Sequence, residues 1–358
     1  MALGTRASPI VFLDTQVFVQ QNFQFSTGLL AALREQVRRQ RLQCVTTDLT
    51  LEEVGSRLHS AVDHAEGAFR RFQSQARALR NSRAPHIVRL FKSFNRRRIL
   101  RELLQQLEAY LAAIHPIVLQ VDSVPPSVIF GRYFKGDVPF HRPTKKSEFP
   151  DAFVLEALRQ YSKKAECPIV VVTGDRDWHD PAKPDDPAFN HTERLESVLE
   201  TALENTPLLA AARQALEGAH ASISTSVAEQ FKGLSFMIGD RDAAVVGVKD
   251  IEVNITKGYI ADATDENVVF SIDLWLSFAA EIDYSQRRSG MLPGSQEALR
   301  RPRFGTGEEP TSIWGSESFN ISGSLSWTGT KPESAKLVDT IITDTRDIVV
   351  FAEDYYSS

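Results

Sequence analysis

The stretch Ile169-Val170-Val171-Val172 constrains this chain more than any other. Every position is apolar and β-branched. A strand with one wet face alternates polar and apolar residues. One without alternation is covered on both faces, as in parallel sheets whose crossover helices pack above and below. Ile10–Leu13 is a second run of this kind, and Val11-Phe-Leu-Asp-Thr-Gln-Val-Phe-Val19 reads as a strand continuing to about Val19 with Asp14 inside it. A carboxylate in an apolar strand is costly unless something pairs with it or uses it. Leu42–Asp48 and Ile117–Val121 are shorter strand candidates.

Helical patterns separate these runs. One spans about Ser26 to Arg39, with Ser26 or Thr27 as its cap. A second opens with a capping box, Thr50 at the cap and Glu53 three residues on. It continues, interrupted near Asn81–Pro85, to about Ile114, and Pro116 ends it. Residues 122–148 read as irregular. Glu148-Phe-Pro-Asp151 then opens another helix, with Pro150 in its first turn. Further helices are expected from about Thr192 to Ala219. Alternating strands and helices describe a doubly wound α/β domain over residues 1–220, with a basic helical insertion at about 54–115.

The texture changes near Ala221. Alternating, β-branched segments with turn signals such as Lys257-Gly258 predict a C-terminal all-β domain over residues 221–358. Arg287–Ser312 reads as a mobile loop. With 358 residues, 42% of them hydrophobic, the chain can bury two cores. Its two cysteines, Cys44 and Cys167, offer neither a disulfide framework nor a metal-ligand spacing. The N-terminus has too short an apolar stretch for a signal sequence, and no run of eighteen apolar residues occurs. A soluble, cytoplasmic protein without membrane contact is therefore expected.

The net charge of −5 hides an asymmetry. Residues 34–101 carry about sixteen Lys and Arg against about six Asp and Glu, while residues 221–358 are acidic. Such a split points to an anionic partner for the basic part, or to a solvated helix face. Arg96, Arg97 and Arg98 cannot all face a core, whereas Phe91 and Phe94 suit one. Lys145 and Lys146 could carry substrate towards nearby acids. His141 reads as an ordinary loop histidine. The acidic C-terminal part suits a protein partner, a homodimer contact or shielding of the basic domain.

Four acids recur at element ends: Asp14, Glu53, Asp151 and Asp175. Each has an ordinary reading as well. Glu53 could complete a capping box, Asp151 complement a helix dipole and Asp175 serve a turn. In open parallel sheets, however, sites form outside the carboxyl ends of strands. Carboxylates converging there repel one another unless cations lie between them. Oxygen donors select Mg²⁺ or Mn²⁺, and such a centre suits phosphoryl chemistry.

The motifs Val11-Phe-Leu-Asp-Thr15, Thr50-Leu-Glu-Glu53, Phe149-Pro-Asp-Ala-Phe-Val-Leu-Glu-Ala-Leu158 and Val170-Val-Val-Thr-Gly-Asp-Arg-Asp-Trp178 resemble the successive motifs of PIN-domain nucleases, in particular larger bacterial members with an insertion. The resemblance covers roughly Pro9 to Trp178. It implies a PIN-like doubly wound sheet and a Mg²⁺- or Mn²⁺-dependent nuclease acting on RNA more than DNA. Asp14, Glu53, Asp151 and Asp175 would be its catalytic and metal-binding acids. Glu53 is favoured over its neighbour Glu52 by the spacing from Thr50. Asp177 would extend the metal site. Thr173 would support it at the substrate, with Arg96, Arg97, Arg98, Lys145 and Lys146 as further substrate contacts. Gln16 stands where the family often has Asn or Ser. A non-catalytic binding module on the same fold, or a structure-specific DNA nuclease, are the alternatives.

Overall fold

In the computed structural model, which describes residues 8–140, 148–178, 186–204, 206–238, 244–283, 311–342 and 348–350, the chain divides into two units, Met1–Asn205 and Thr206–Ser358. Among the described residues the first unit holds five parallel strands, Ile10–Leu13 (β1), Gln43–Thr47 (β2), Ile117–Leu119 (β3), Ile169–Val172 (β4) and Phe189–Thr192 (β5). Their order is β3-β2-β1-β4-β5. The direction of winding reverses between β1 and β4, which pair in register from Ile10 with Ile169 to Leu13 with Val172. The β-branched runs lie in the middle because only central strands are covered on both faces.

The first strand is shorter than its sequence suggests. It stops at Leu13, and Thr15–Gln20 forms a short helix (α1). The expected continuation to Val19 fails because tertiary packing overrides the strand propensity of Val-Phe-Val. The helix buries Thr15, Val17 and Phe18, and leaves Asp14 at the strand's end.

Gly28–Arg38 (α2) leads to β2, and Asp48–Gln75 (α3) follows β2 directly. The cap of α3 is Thr47 rather than Thr50. The Thr47 hydroxyl accepts the Thr50 N–H at 3.0 Å, and the two hydroxyls lie 2.8 Å apart. Glu53 thus sits one turn inside the helix instead of closing a capping box. Pro85–Leu90 (α4) and Arg96–Ile114 (α5) return the chain to β3, with α5 packed on α3.

Residues 122–148 are not wholly irregular. Pro126–Lys135 forms a helix (α6), started by Pro126 and ended by Gly136 in the left-handed region at φ 65°. Phe149–Ala165 (α7) then precedes β4. A fifth strand, β5, which the sequence pattern did not mark, ends where the helical span from about Thr192 was expected to begin, and Leu195–Leu203 (α8) follows it. Lys145, Lys146 and His141 lie outside the described residues.

In the second unit, Leu208–Gly218 (α9) and His220–Lys232 (α10) pack against an antiparallel sheet. The expected domain boundary at 220/221 falls in the first turn of α10, whereas the two units divide between residues 205 and 206. Phe236–Ile238 (β6) precedes the sheet, which comprises Ala244–Ala263 (β7), Asn267–Asp283 (β8), Thr311–Ser326 (β9) and Lys336–Ile342 (β10), in the order β10-β9-β8-β7. Ile348–Val350 (β11) pairs with β6. One face of β8, from Val268 through Phe270, Ile272, Leu274, Leu276 and Phe278 to Ile282, is buried. Phe231 of α10 meets Phe278 edge-on at 4.9 Å. Lys257-Gly258 is no turn: both residues lie within β7. A Cβ on Gly258 would come within 2.9 Å of Leu216, so glycine lets α9 approach the strand. Most of the expected loop, residues 287–310, lies outside the described residues, whereas Ser312 belongs to β9.

The cap at Thr47 sets the start of the helix that bears Glu53. Thr47→Ala is expected to cost about 1–2 kcal/mol in equilibrium urea unfolding, because it leaves a buried N–H without its acceptor. Thr47→Ser should recover most of that loss. Equal stabilities for wild type and Thr47→Ala would show that the cap contributes nothing.

Candidate active site

Where the winding of a parallel sheet reverses, the loops leaving two neighbouring strands diverge and open a crevice at their carboxyl ends. Here those strands are β1 and β4. Asp14 follows β1 immediately, and its backbone N–H donates to the Val172 carbonyl at 3.0 Å. Thr173, Gly174 and Asp175 follow β4. The Thr173 hydroxyl donates to Asp14 Oδ2 at 2.7 Å and accepts the Asp175 N–H at 3.0 Å. One buried hydroxyl therefore joins the acids of the two strands.

The loop after β4 is held by its own side chains. Asp175 Oδ1 accepts the Asp177 N–H at 2.9 Å. Trp178 is buried and stacks on Phe12 of β1 at 5.5 Å between ring centroids. This aromatic anchor fixes the tether of Asp175 and Asp177 against the sheet. Gln16 packs over Gly174, where a Cβ would stand 3.2 Å from Gln16 Oε1.

Glu53 reaches the site from α3. Its Oε2 accepts the Thr15 hydroxyl at 3.1 Å, and its Oε1 pairs with Arg57 at 3.1 Å. Asp151 comes from the first turn of α7, and Glu148 from that helix's cap position. The pattern of residues did not mark out Glu148. Its only local signal is a place three residues before Asp151, on the same side of a helix start. It is 8% exposed, and carboxylate oxygens of Glu148, Asp175 and Asp177 lie within 4.8 Å of one another.

The electrostatics reflect this crowding. Burial raises the Asp14 carboxyl above the usual range. Hydrogen bonds from Thr173 and the Thr15 backbone oppose that shift, and the charges of Glu53 and Asp175 add to it. Asp151 is pushed up to about 8, first by burial, then by a hydrogen bond with Glu148 and by the charges of Glu148, Asp14 and Glu53. Asp14, Glu53, Asp151 and Asp175 thus share one electrostatic neighbourhood, with Glu148 and Asp177 beside it. The donors are all carboxylate oxygens, which fit a hard divalent cation of the Mg²⁺ or Mn²⁺ kind.

Of the basic residues, Arg97 and Arg98 are exposed on α5. Arg96 is half-buried and forms an ion pair with Asp63 of α3, so the three arginines are not equivalent. Phe91 stacks with Phe72, and Phe94 packs on Phe69.

Residues 11–178 match the family model described as a PIN domain. No curated protein and no solved structure matches the chain.

A titration follows from the crowded acids. Without divalent metal, the folded state holds the Asp151 proton between the ordinary value of 3.8 and about 8, while the unfolded chain has released it. Stability in EDTA should therefore fall as pH rises through that window. Asp151→Asn should flatten this slope, read as the difference in unfolding midpoint between about pH 5 and about pH 8. Identical slopes in both proteins would show that Asp151 titrates like an exposed carboxylate.

Proposed function

We propose that this protein is a metal-dependent endonuclease that hydrolyses phosphodiester bonds, with RNA as its preferred substrate, because residues 11–178 match the family model described as a PIN domain and PIN domains are in general nucleases. The observation that carries the reading is the pairing of Asp14 and Asp175 through the Thr173 hydroxyl at the point where the sheet's winding reverses. RNA rather than DNA follows from the resemblance of the motifs.

In this reading Asp14, Asp151 and Asp175 hold Mg²⁺ or Mn²⁺. Glu53 helps to hold it or a second ion, and Asp177 extends the set beside Asp175. Glu148 joins them as a further oxygen donor. The bound metal would supply a water acidified towards neutral pH and neutralise charge on the leaving oxygen. Thr173 is a positioning residue: its hydroxyl is engaged on both sides, so it orients Asp14 rather than reaching substrate. Arg57 fixes the Glu53 carboxylate. Asp151 shares a hydrogen bond with Glu148, and its raised affinity for protons keeps one at this pair until a cation displaces it. Arg97 and Arg98 bind phosphates of the substrate, with Arg96 held back by Asp63. Lys145 and Lys146 keep the substrate-binding role assigned from their sequence position.

Mn²⁺ should raise the melting temperature of the wild type, because a cation relieves carboxylate repulsion only in the folded state. At a hundredfold excess over its dissociation constant the gain is about 2.7 kcal/mol. Asp14→Asn/Asp175→Asn should lose that gain and cleave labelled single-stranded RNA at least about a hundredfold more slowly. Single-stranded and duplex DNA in the same assay decide the substrate class. Cleavage at the wild-type rate by the double variant defeats the assignment of these acids.

A further inference from the structure

From Gly67 to Arg101 the chain carries eleven Lys and Arg and not one Asp or Glu. The structure gives this run a shape. Helix α3 leaves the acids at Glu53 and stays helical to Gln75, twenty-two residues further on. At about 1.5 Å per residue its end lies about 33 Å from Glu53. The chain then turns and comes back along the same helix. Gln73 donates to the carbonyls of Leu90 and Lys92 at 2.9 and 3.0 Å, Phe91 stacks on Phe72, Phe94 packs on Phe69 and Arg96 pairs with Asp63. Asp63 is ten residues from Glu53, or about 15 Å. The cations therefore form a track on a helical hairpin, from about 15 Å to about 33 Å from the acids.

Some of them hold the hairpin itself. Arg70 pairs with Glu66 and Arg96 with Asp63, Arg77 donates to the Ser74 carbonyl, and Arg80 lies over the Phe91 ring. Arg83, Arg89, Lys92, Arg97, Arg98 and Arg101 are exposed and have no carboxylate partner among the described residues. So many like charges repel one another, a cost that a bound polyanion relieves. Arg97 and Arg101 also line a cleft of about 470 Å³ on α5, with Leu100 and Leu104 as its apolar part. Phosphate contacts beside an apolar surface suit a strand with unstacked bases.

We infer that this hairpin is an anchor for the nucleic-acid strand that flanks the cut, gripping its phosphates at a distance from the acids and making binding depend on substrate length. The inference rests on the nuclease reading. An anionic membrane would also meet the cations. Nucleic acid is favoured because the returning limb that carries these cations packs along α3, the helix that bears Glu53, so a strand laid along the hairpin leads to the acids. At about 3.4 Å per stacked nucleotide, 33 Å corresponds to about ten nucleotides. A twenty-nucleotide strand spans acids and track together, whereas a tetranucleotide does not.

The test is fluorescence anisotropy with full-length protein in EDTA, where binding is read apart from cleavage. The probes are single-stranded RNA of four and twenty nucleotides. Arg83→Ala/Arg89→Ala/Lys92→Ala should weaken twenty-mer binding about tenfold and lower the slope of log affinity against log salt by about two, at roughly 0.7 per phosphate contact. Tetranucleotide binding should not change. Arg83→Lys/Arg89→Lys/Lys92→Arg should restore the twenty-mer affinity, which separates charge from packing. Equal twenty-mer binding by wild type and the alanine variant overturns the anchor, even for a protein that cleaves RNA with Mn²⁺. Binding of wild type to phosphatidylserine vesicles and not to RNA overturns it in favour of a membrane. RNA binding that depends on Arg83, Arg89 and Lys92 in a protein that never cleaves supports the anchor while the nuclease reading alone fails.

Discussion

The parallel pairing of β1 with β4 is the contact on which the rest of the candidate site depends. These strands are neighbours in space but more than 150 residues apart in sequence. Their last ladder bond runs from the Asp14 N–H to the Val172 carbonyl, just beyond the end of β1. It brings Asp14 within reach of the Thr173 hydroxyl, and Thr173 in turn holds the backbone of Asp175. A one-residue slip between the strands would send every side chain to the opposite face of the sheet and separate the two acids.

The site stores repulsion that the fold must sustain. Half-buried Asp14 and Asp151 both take protons more readily than an ordinary carboxylate, and charges from Glu53, Asp175 and Glu148 contribute. The supporting contacts are strong and mostly apolar or neutral: Trp178 stacked on Phe12, the Thr47 cap, and the buried core around β1 and β4. A second concentration of like charge sits on the helical hairpin, with the opposite sign. Two opposed fields, one at the acids and one on the limb that packs along α3, are a natural arrangement for drawing a polyanion towards a cation-loaded centre.

Much of this was legible in the residues. The β-branched runs announced a parallel sheet, and the acids recurred at element ends. Asp14, Glu53, Asp151 and Asp175 do lie in one electrostatic neighbourhood. Errors arose where local preference and tertiary packing disagree. Val17-Phe18-Val19 has the composition of a strand but folds as a helix, because burying Thr15, Val17 and Phe18 together outweighs that preference. Lys257-Gly258 looks like a turn but lies within β7, because its glycine serves a close approach by Leu216. Helix α6 was hidden by its prolines, which here start a helix rather than interrupt one.

By itself the sequence determined which segments are buried on both faces, where acids and cations concentrate, and that the two ends of the chain differ in texture. Those properties are written in short-range periodicity and composition. Only the tertiary structure decided the strand order β3-β2-β1-β4-β5, the bridge from Thr173 to Asp14, the entry of Glu148 into the acid cluster and the withdrawal of Arg96 into a pair with Asp63. Each of these joins residues through contacts that local pattern does not encode. Which strand lies beside which, and which helix start meets which strand end, is settled when the whole core closes.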